Sequence, residues 1–270
     1  MKARLAVAGI CVPALAVILW LLPPVCTLIV ICAMCALAAW EFLSPTGLVT
    51  DVPLLWITVL LAALVPIWCR FGMPYLPALI GIFLYFLAAQ LLLLKKHLSL
   101  DIGSLFAAMY AGILIPFLLS ALVRIYFGED GKLYIAVPIV IAFVADGAAL
   151  FSGMLWGKHK LAPQISPKKT VEGMLGGIVG AVLCTLLYCL IVQTFFDAQV
   201  HYFRSVIYAL SGSLVSVVGD LCFSVVKRRT GIKDFGSLLP GHGGILDRFD
   251  SMVLTAPLIE ILILLLPLYF

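Results

Sequence analysis

An all-α fold that crosses a membrane many times is what this sequence predicts, and three observations carry the prediction. Of the 270 residues, 64% are hydrophobic and only 11% charged, with a mean hydropathy of +1.21, which is too apolar for a water-soluble domain of this size. The apolar residues form continuous runs near the roughly 20 residues that a helix needs to cross the hydrocarbon core, and they lack the alternation of a strand. The polar residues gather instead in two islands, 154–172 and 227–247.

Taken in order, the first run, MKARLAVAGICVPALAVILWLL, has the basic start and apolar middle of a signal sequence. It lacks a small-residue cleavage site before a polar segment, and apolar character resumes directly after Pro23-Pro24, so it reads as the first span. Runs of the same kind place spans at 5–22, 25–43, 53–69, 75–94, 102–123, 133–153, 173–195, 203–226 and 248–269. Pro23-Pro24, Ser44-Pro45 and Gly72 to Pro74 punctuate the early turns. Nine spans put the termini on opposite sides. Residues 1–132 then form an N-terminal group of transmembrane helices, and 133–270 a catalytic region carrying the loops 154–172 and 227–247.

Lysine and arginine orient this arrangement. Arg70, Arg124, Lys132 and Arg204 fall on one face, and the other thirteen of the 17 fall on the face of the N-terminus. The N-terminus and both polar loops are therefore expected in the cytoplasm, with the protein in the cytoplasmic membrane and its active site facing the cytosol. A net charge of +4, held in short clusters rather than a tail, points away from nucleic acid and toward anionic lipid or nucleotide. The eight cysteines lie in or beside apolar runs and read as small core residues; Cys32 and Cys35 form a CxxC, but mid-span and without a neighbouring base.

The chemistry concentrates between Lys227 and Asp250, KRRTGIKDFGSLLPGHGGILDRFD. On the helix entering it, Asp220, Ser224, Lys227 and Arg228 share one face at i, i+4, i+7 and i+8. At 1.5 Å per residue, Asp220 sits about 10 Å before Lys227, at the membrane boundary. An ionisable group there is functional or paired, and a plain ion pair with Lys227 or Arg228 is the alternative. Asp247 and Asp250, with Arg248 between them, open the last span. A helix start favours carboxylates in any case, so Asp247 also reads as a cap. Capping does not account for two acids, an arginine and the preceding His242-Gly243-Gly244. Consecutive glycines permit left-handed backbone and close approach of N–H groups to an anion. Magnesium takes a couple of carboxylates together with waters and substrate phosphates, and Asp220 with Asp247 would supply the pair.

The island 154–172 repeats the pattern. Asp146 closes an apolar run, and GKHKLAPQISPKKTVEG, Gly157 to Gly173, offers Lys158, Lys160, Lys168 and Lys169 with His159 before Thr170 and Glu172 open the next helix. Phosphate binding and simple anchoring beside the bilayer both fit these lysines. Gly and Ala residues over 173–182 fit close helix packing as well as a helix entry.

The stretch Ser224-x-Val226-Lys227-Arg228-x4-Lys233-Asp234-x-Gly236-x2-Leu239-Pro240-x-His242-Gly243-Gly244-Ile245-x-Asp247-Arg248-Phe249-Asp250 resembles the signature of the phosphatidate cytidylyltransferases. Together with Asp146 and GKHKLAP…SPKKT-x-EG, the resemblance covers about 140–255. The chain departs from the family pattern at Gly147, Leu150 and Met154, where a small hydroxyl residue, an aromatic and a basic residue are usual. The resemblance implies transfer of a cytidylyl group from CTP to phosphatidate, giving CDP-diacylglycerol and pyrophosphate, with Mg²⁺ and a monovalent cation such as K⁺. It also implies a homodimer, on which the residues themselves are silent.

The residues suit that reaction. A phosphatidate phosphate is ionised at neutral pH, so positioning and charge neutralisation suffice. Asp220 and Asp247 are expected to hold the metal, supported by Asp250 and Asp146. Lys227, Arg228, Lys233 and Arg248 would neutralise phosphate charge, joined by Lys158, Lys168 and Lys169. Ser224 and the backbone of Gly243 and Gly244 would donate hydrogen bonds, and His242 would orient a phosphate or shape the turn. Two other classes bear comparison. A polyprenol-type lipid kinase using CTP would need a general base for its alcohol acceptor. A transporter would show broken helices in two related halves; Glu260, midway along the last span, is its best support.

Overall fold

The computed structural model describes residues 13–95, 101–196, 198–238 and 243–269. Of the first predicted span, 5–22, residues 13–22 are described, and they include a π-helical turn, Val17–Leu21. The helices are α1 (Pro24–Leu43), α2 (Val52–Arg70), α3 (Tyr75–Lys95), α4 (Ile102–Tyr126), α5 (Gly131–Trp156), α6 (Val171–Phe196), α7 (Tyr202–Arg229), α8 (Leu246–Phe249) and α9 (Met252–Leu265). Among the described residues, α1 to α7 are long and apolar enough to cross a bilayer. This is an all-α integral membrane protein, because in lipid only a helix or closed barrel satisfies its own backbone.

The helices sort into two units. The first holds residues up to Phe127 together with Arg229–Phe249; the second holds Gly128–Arg228 and Asp250–Phe270. In the first, Asp51 caps α2 by accepting the Leu54 N–H at 3.0 Å, and the Thr58 and Tyr85 hydroxyls join α2 to α3 at 3.0 Å. Within α4, Tyr110–Leu114 is a π-helical turn. Pro116 two residues later has no N–H to give to Gly112, and the ladder loosens just before it. Phe235 stacks on Phe42, near the end of α1, with ring centroids 5.9 Å apart.

In the second unit, α5 and α6 pack as a close antiparallel pair, and their small residues make this geometry possible. A Cβ on Gly177 would sit 2.7 Å from the Ala145 carbonyl oxygen, and one on Gly173 2.8 Å from that of Ala149. Gly147 faces open space, while Leu150 and Met154 are exposed.

Two expectations need correcting. The island 154–172 is not a plain loop: α5 runs to Trp156, and β1 (Lys160–Ala162) pairs antiparallel with β2 (Ser166–Thr170), Lys160 opposite Thr170. Glu172 closes its base by accepting the N–H groups of Lys158 and His159, both at 3.1 Å on Oε2, and meeting His159 Nδ1 at 2.6 Å. The predicted span 248–269 is likewise interrupted. Asp250 takes the Ser251 N–H at 2.7 Å, and the pair lies so close to α7 that a Cβ on Gly219 would be 3.0 Å from the Asp250 carbonyl. The chain turns there, and α9 keeps 14 residues. Beyond α9, Tyr269 bridges to Val200, and the Tyr134 hydroxyl accepts the Leu268 and Tyr269 amides.

Candidate active site

The sequence-predicted residues form two groups, one in each unit. In the second unit, α7 presents the expected face: the Ser224 hydroxyl donates to Asp220 Oδ1 at 3.2 Å, one turn apart. The cation paired with Asp220 is Lys169 from β2, rather than the Lys227 or Arg228 that helix spacing suggests. Lys227 Nζ instead lies 3.8 Å from Asp250 Oδ2. Asp146 joins through Ser251, whose hydroxyl donates to Asp146 Oδ2 at 3.2 Å. Arg228 Nε donates to the Ile165 carbonyl at 3.1 Å, fixing the hairpin turn to α7.

Ser224, Lys227 and Asp250 are buried, Lys169 and Asp220 are partly covered, and Asp146, Arg228, Lys158 and Lys168 are exposed. Asp250 lies in the turn between α8 and α9. Burial, followed by the neighbouring charge of Asp220, pushes its carboxyl up to about 8; Lys227 opposes the shift and Asp146 adds to it. On the hairpin, the His159 contact, with the Lys158 and His159 amides, lowers Glu172 to about 2. Glu172 is thus an anion at any ordinary pH.

Asp250 is desolvated beside the like charges of Asp220 and Asp146, and such a carboxyl favours a bound cation or a proton. Among the described residues, no three His, Cys, Asp or Glu side chains come together as a ready metal cage. Magnesium does not require one, since it binds through one or two carboxylates, waters and substrate phosphates. Asp220, whose charge raises the Asp250 carboxyl, and Asp250 itself are oxygen ligands of the kind such an ion takes, and Asp146 is linked to the pair through Ser251.

The first unit holds the other group. Asp247 Oδ2 accepts three backbone N–H groups, from Phe235 at 2.7 Å, Gly244 at 3.0 Å and Gly236 at 3.4 Å. Gly243 has the left-handed backbone expected of it, φ +82°. The Gly244 amide, expected to face a phosphate, is committed to Asp247. Lys233 and Arg248 are exposed, and His242 lies outside the described residues.

Glu41, on α1, is a residue that the sequence reading passed over. It is 1% exposed, and it accepts the Ile245 N–H on Oε1 at 2.9 Å and the Leu246 N–H on Oε2 at 2.7 Å. One signal was present: an acid inside an apolar run needs a partner. Nothing in the sequence identifies a partner some two hundred residues away.

Known proteins resemble this chain. A model of the Cytidylyltransferase family matches residues 2–266. A phosphatidate cytidylyltransferase of Staphylococcus epidermidis is 44% identical over 142 residues, covering 52% of this chain and 53% of that protein. Those of Staphylococcus saprophyticus and Staphylococcus aureus are each 42% identical over 136 residues, covering 50% of this chain and 51% of theirs. The chain spans about half the length of the curated relatives it matches. With the family match running almost from end to end, this chain belongs to the Cytidylyltransferase family.

Proposed function

We propose that the protein is a phosphatidate cytidylyltransferase, which makes CDP-diacylglycerol and pyrophosphate from CTP and phosphatidate. An oxygen of the lipid phosphate attacks the α-phosphorus of CTP in line, and the bond to the departing pyrophosphate breaks. The observation that carries this reading is the cluster of Asp220, Asp250 and Asp146 with Lys169 and Lys227, which offers charges of both signs on adjacent elements. The acids suit a metal–triphosphate and the lysines suit phosphate oxygens.

A magnesium ion held by Asp220 and Asp250, supported by Asp146, would neutralise the triphosphate and make its α-phosphorus more electrophilic. The assignment of Asp247 to the same ion rests on sequence alone. Lys227 and Lys169 bind phosphate oxygens, Ser224 orients Asp220, and Arg228 keeps the hairpin against α7. Lys158, Lys168, Lys233, Arg248 and His242 are assigned to the outer approach of the anionic substrates, and a monovalent cation such as K⁺ assists. The proposal includes nine spans, with the first on 5–22 and the last on α9 added to the seven long helices. The N-terminus and site face the cytosol at the cytoplasmic membrane, and two copies form a homodimer.

The raised Asp250 carboxyl gives the lipid-kinase reading some support, since an alcohol acceptor needs a general base near neutrality. Product analysis separates the two. Purified protein incubated with phosphatidate, a polyprenol, α-labelled CTP and Mg²⁺ is expected to place the label in a liponucleotide resolved by lipid chromatography. Label found only in free CDP would transfer the assignment to a kinase.

A further inference from the structure

Glu41 has no place in the reaction as described so far. Between Phe235 and Leu246, five backbone amides are captured by two carboxylates: Asp247 takes Phe235, Gly236 and Gly244, and Glu41 takes Ile245 and Leu246. Leu246 is the first residue of α8, so Glu41 fixes the start of the short helix on which Asp247 and Arg248 stand. The fit leaves no slack. A Cβ on Gly244 would lie 2.4 Å from both Glu41 oxygens, and one on Gly236 2.5 Å from Oε1. Gly244, which the sequence suggests for close approach to phosphate, is therefore required, together with Gly236, for close approach to Glu41. Phe42, the next residue of α1, stacks on Phe235 and secures the other end of the same loop.

We propose that Glu41 is a positioning residue for the transfer reaction, holding the Asp247–Arg248 segment in its working register from the N-terminal part of the chain. The inference rests on the function proposed above. Both carboxylate oxygens are used, so Glu41→Gln is a sharp probe: its amide accepts one N–H and turns a donor toward the other. Glu41→Asp keeps the charge but is one methylene short, and serves as a second variant if the glutamine form does not fold.

The experiment combines backbone hydrogen exchange on the full-length protein in lipid nanodiscs with steady-state turnover of CTP and phosphatidate. Expected for Glu41→Gln are faster exchange confined to 243–249, unchanged exchange in the hairpin 160–170, and kcat lower by about 10- to 100-fold, as for other residues that orient a catalytic group. KM for phosphatidate should move less than kcat, because Glu41 is buried and acts only through the segment it holds. Unchanged exchange at 243–249, or faster exchange with undiminished kcat, would overturn the proposal. If wild-type protein forms no liponucleotide, the proposed function fails and takes this role with it. The exchange comparison would then test only the contact.

Discussion

Lys169 on β2 is ion-paired with Asp220 on α7, about two and a half turns before the C-terminal end of that helix. The hairpin is thereby more than a connection between α5 and α6. It carries an ammonium group to a carboxylate that helix geometry alone would have paired with Lys227 or Arg228.

Lysines 168 and 169 are neighbours with different surroundings, and their substitution should separate them. Lys169→Ala is expected to lower turnover about 100-fold, the scale for losing one group that stabilises developing phosphate charge. Lys168→Ala, exposed on the hairpin and assigned to the outer approach, should raise KM for the anionic substrates while kcat stays within about threefold. Steady-state rates with phosphatidate and CTP provide the check; equal effects would place the lysines in a common, non-specific anchor.

The Asp250 carboxyl is raised from 3.8 to about 8 by burial and by Asp220, with Lys227 opposing and Asp146 adding. Between those values the folded protein holds a proton that the unfolded chain has released. The associated stability is present below about pH 4 and is lost as pH rises through 8. Without divalent ions, the thermal midpoint is therefore expected to fall from pH 5 to pH 8, and Asp250→Asn should flatten that slope. Added Mg²⁺ should raise the midpoint more at pH 8 than at pH 6, because the ion competes with the proton. Parallel profiles for the two proteins would contradict this.

The close pairing of α5 and α6 depends on small side chains. Gly177→Leu puts a branched side chain where even a Cβ lies 2.7 Å from the Ala145 carbonyl oxygen. The expected cost is about 1–3 kcal/mol from overpacking, read as a lower unfolding midpoint. A midpoint equal to wild type would show that the helices separate without penalty.

Much of this arrangement was legible in the sequence, and the gaps have physical causes. Continuous apolar runs located α1 to α7 because a bilayer demands length and hydropathy, both local properties. The face bearing Asp220 and Ser224 followed from the 3.6-residue turn. The hairpin was not legible, since lysines, prolines and short strands read as loop until Thr170 meets Lys160. The break at Asp250 arises from the approach of α7 to Ser251, and the role of Glu41 from amides far along the chain. Contacts of that kind leave no periodicity. The departures at Gly147, Leu150 and Met154 are visible in sequence, and open or exposed surroundings accommodate all three.

The most direct test of the central claim is the Mg²⁺ dependence of liponucleotide formation by wild-type protein and by Asp220→Asn, at saturating CTP and phosphatidate. The wild type is expected to require the ion, and the variant to lose about 100- to 1000-fold in kcat, the cost of removing a charge that organises the transition state. An Asp220→Asn protein with the turnover and Mg²⁺ half-saturation of wild type would contradict the account.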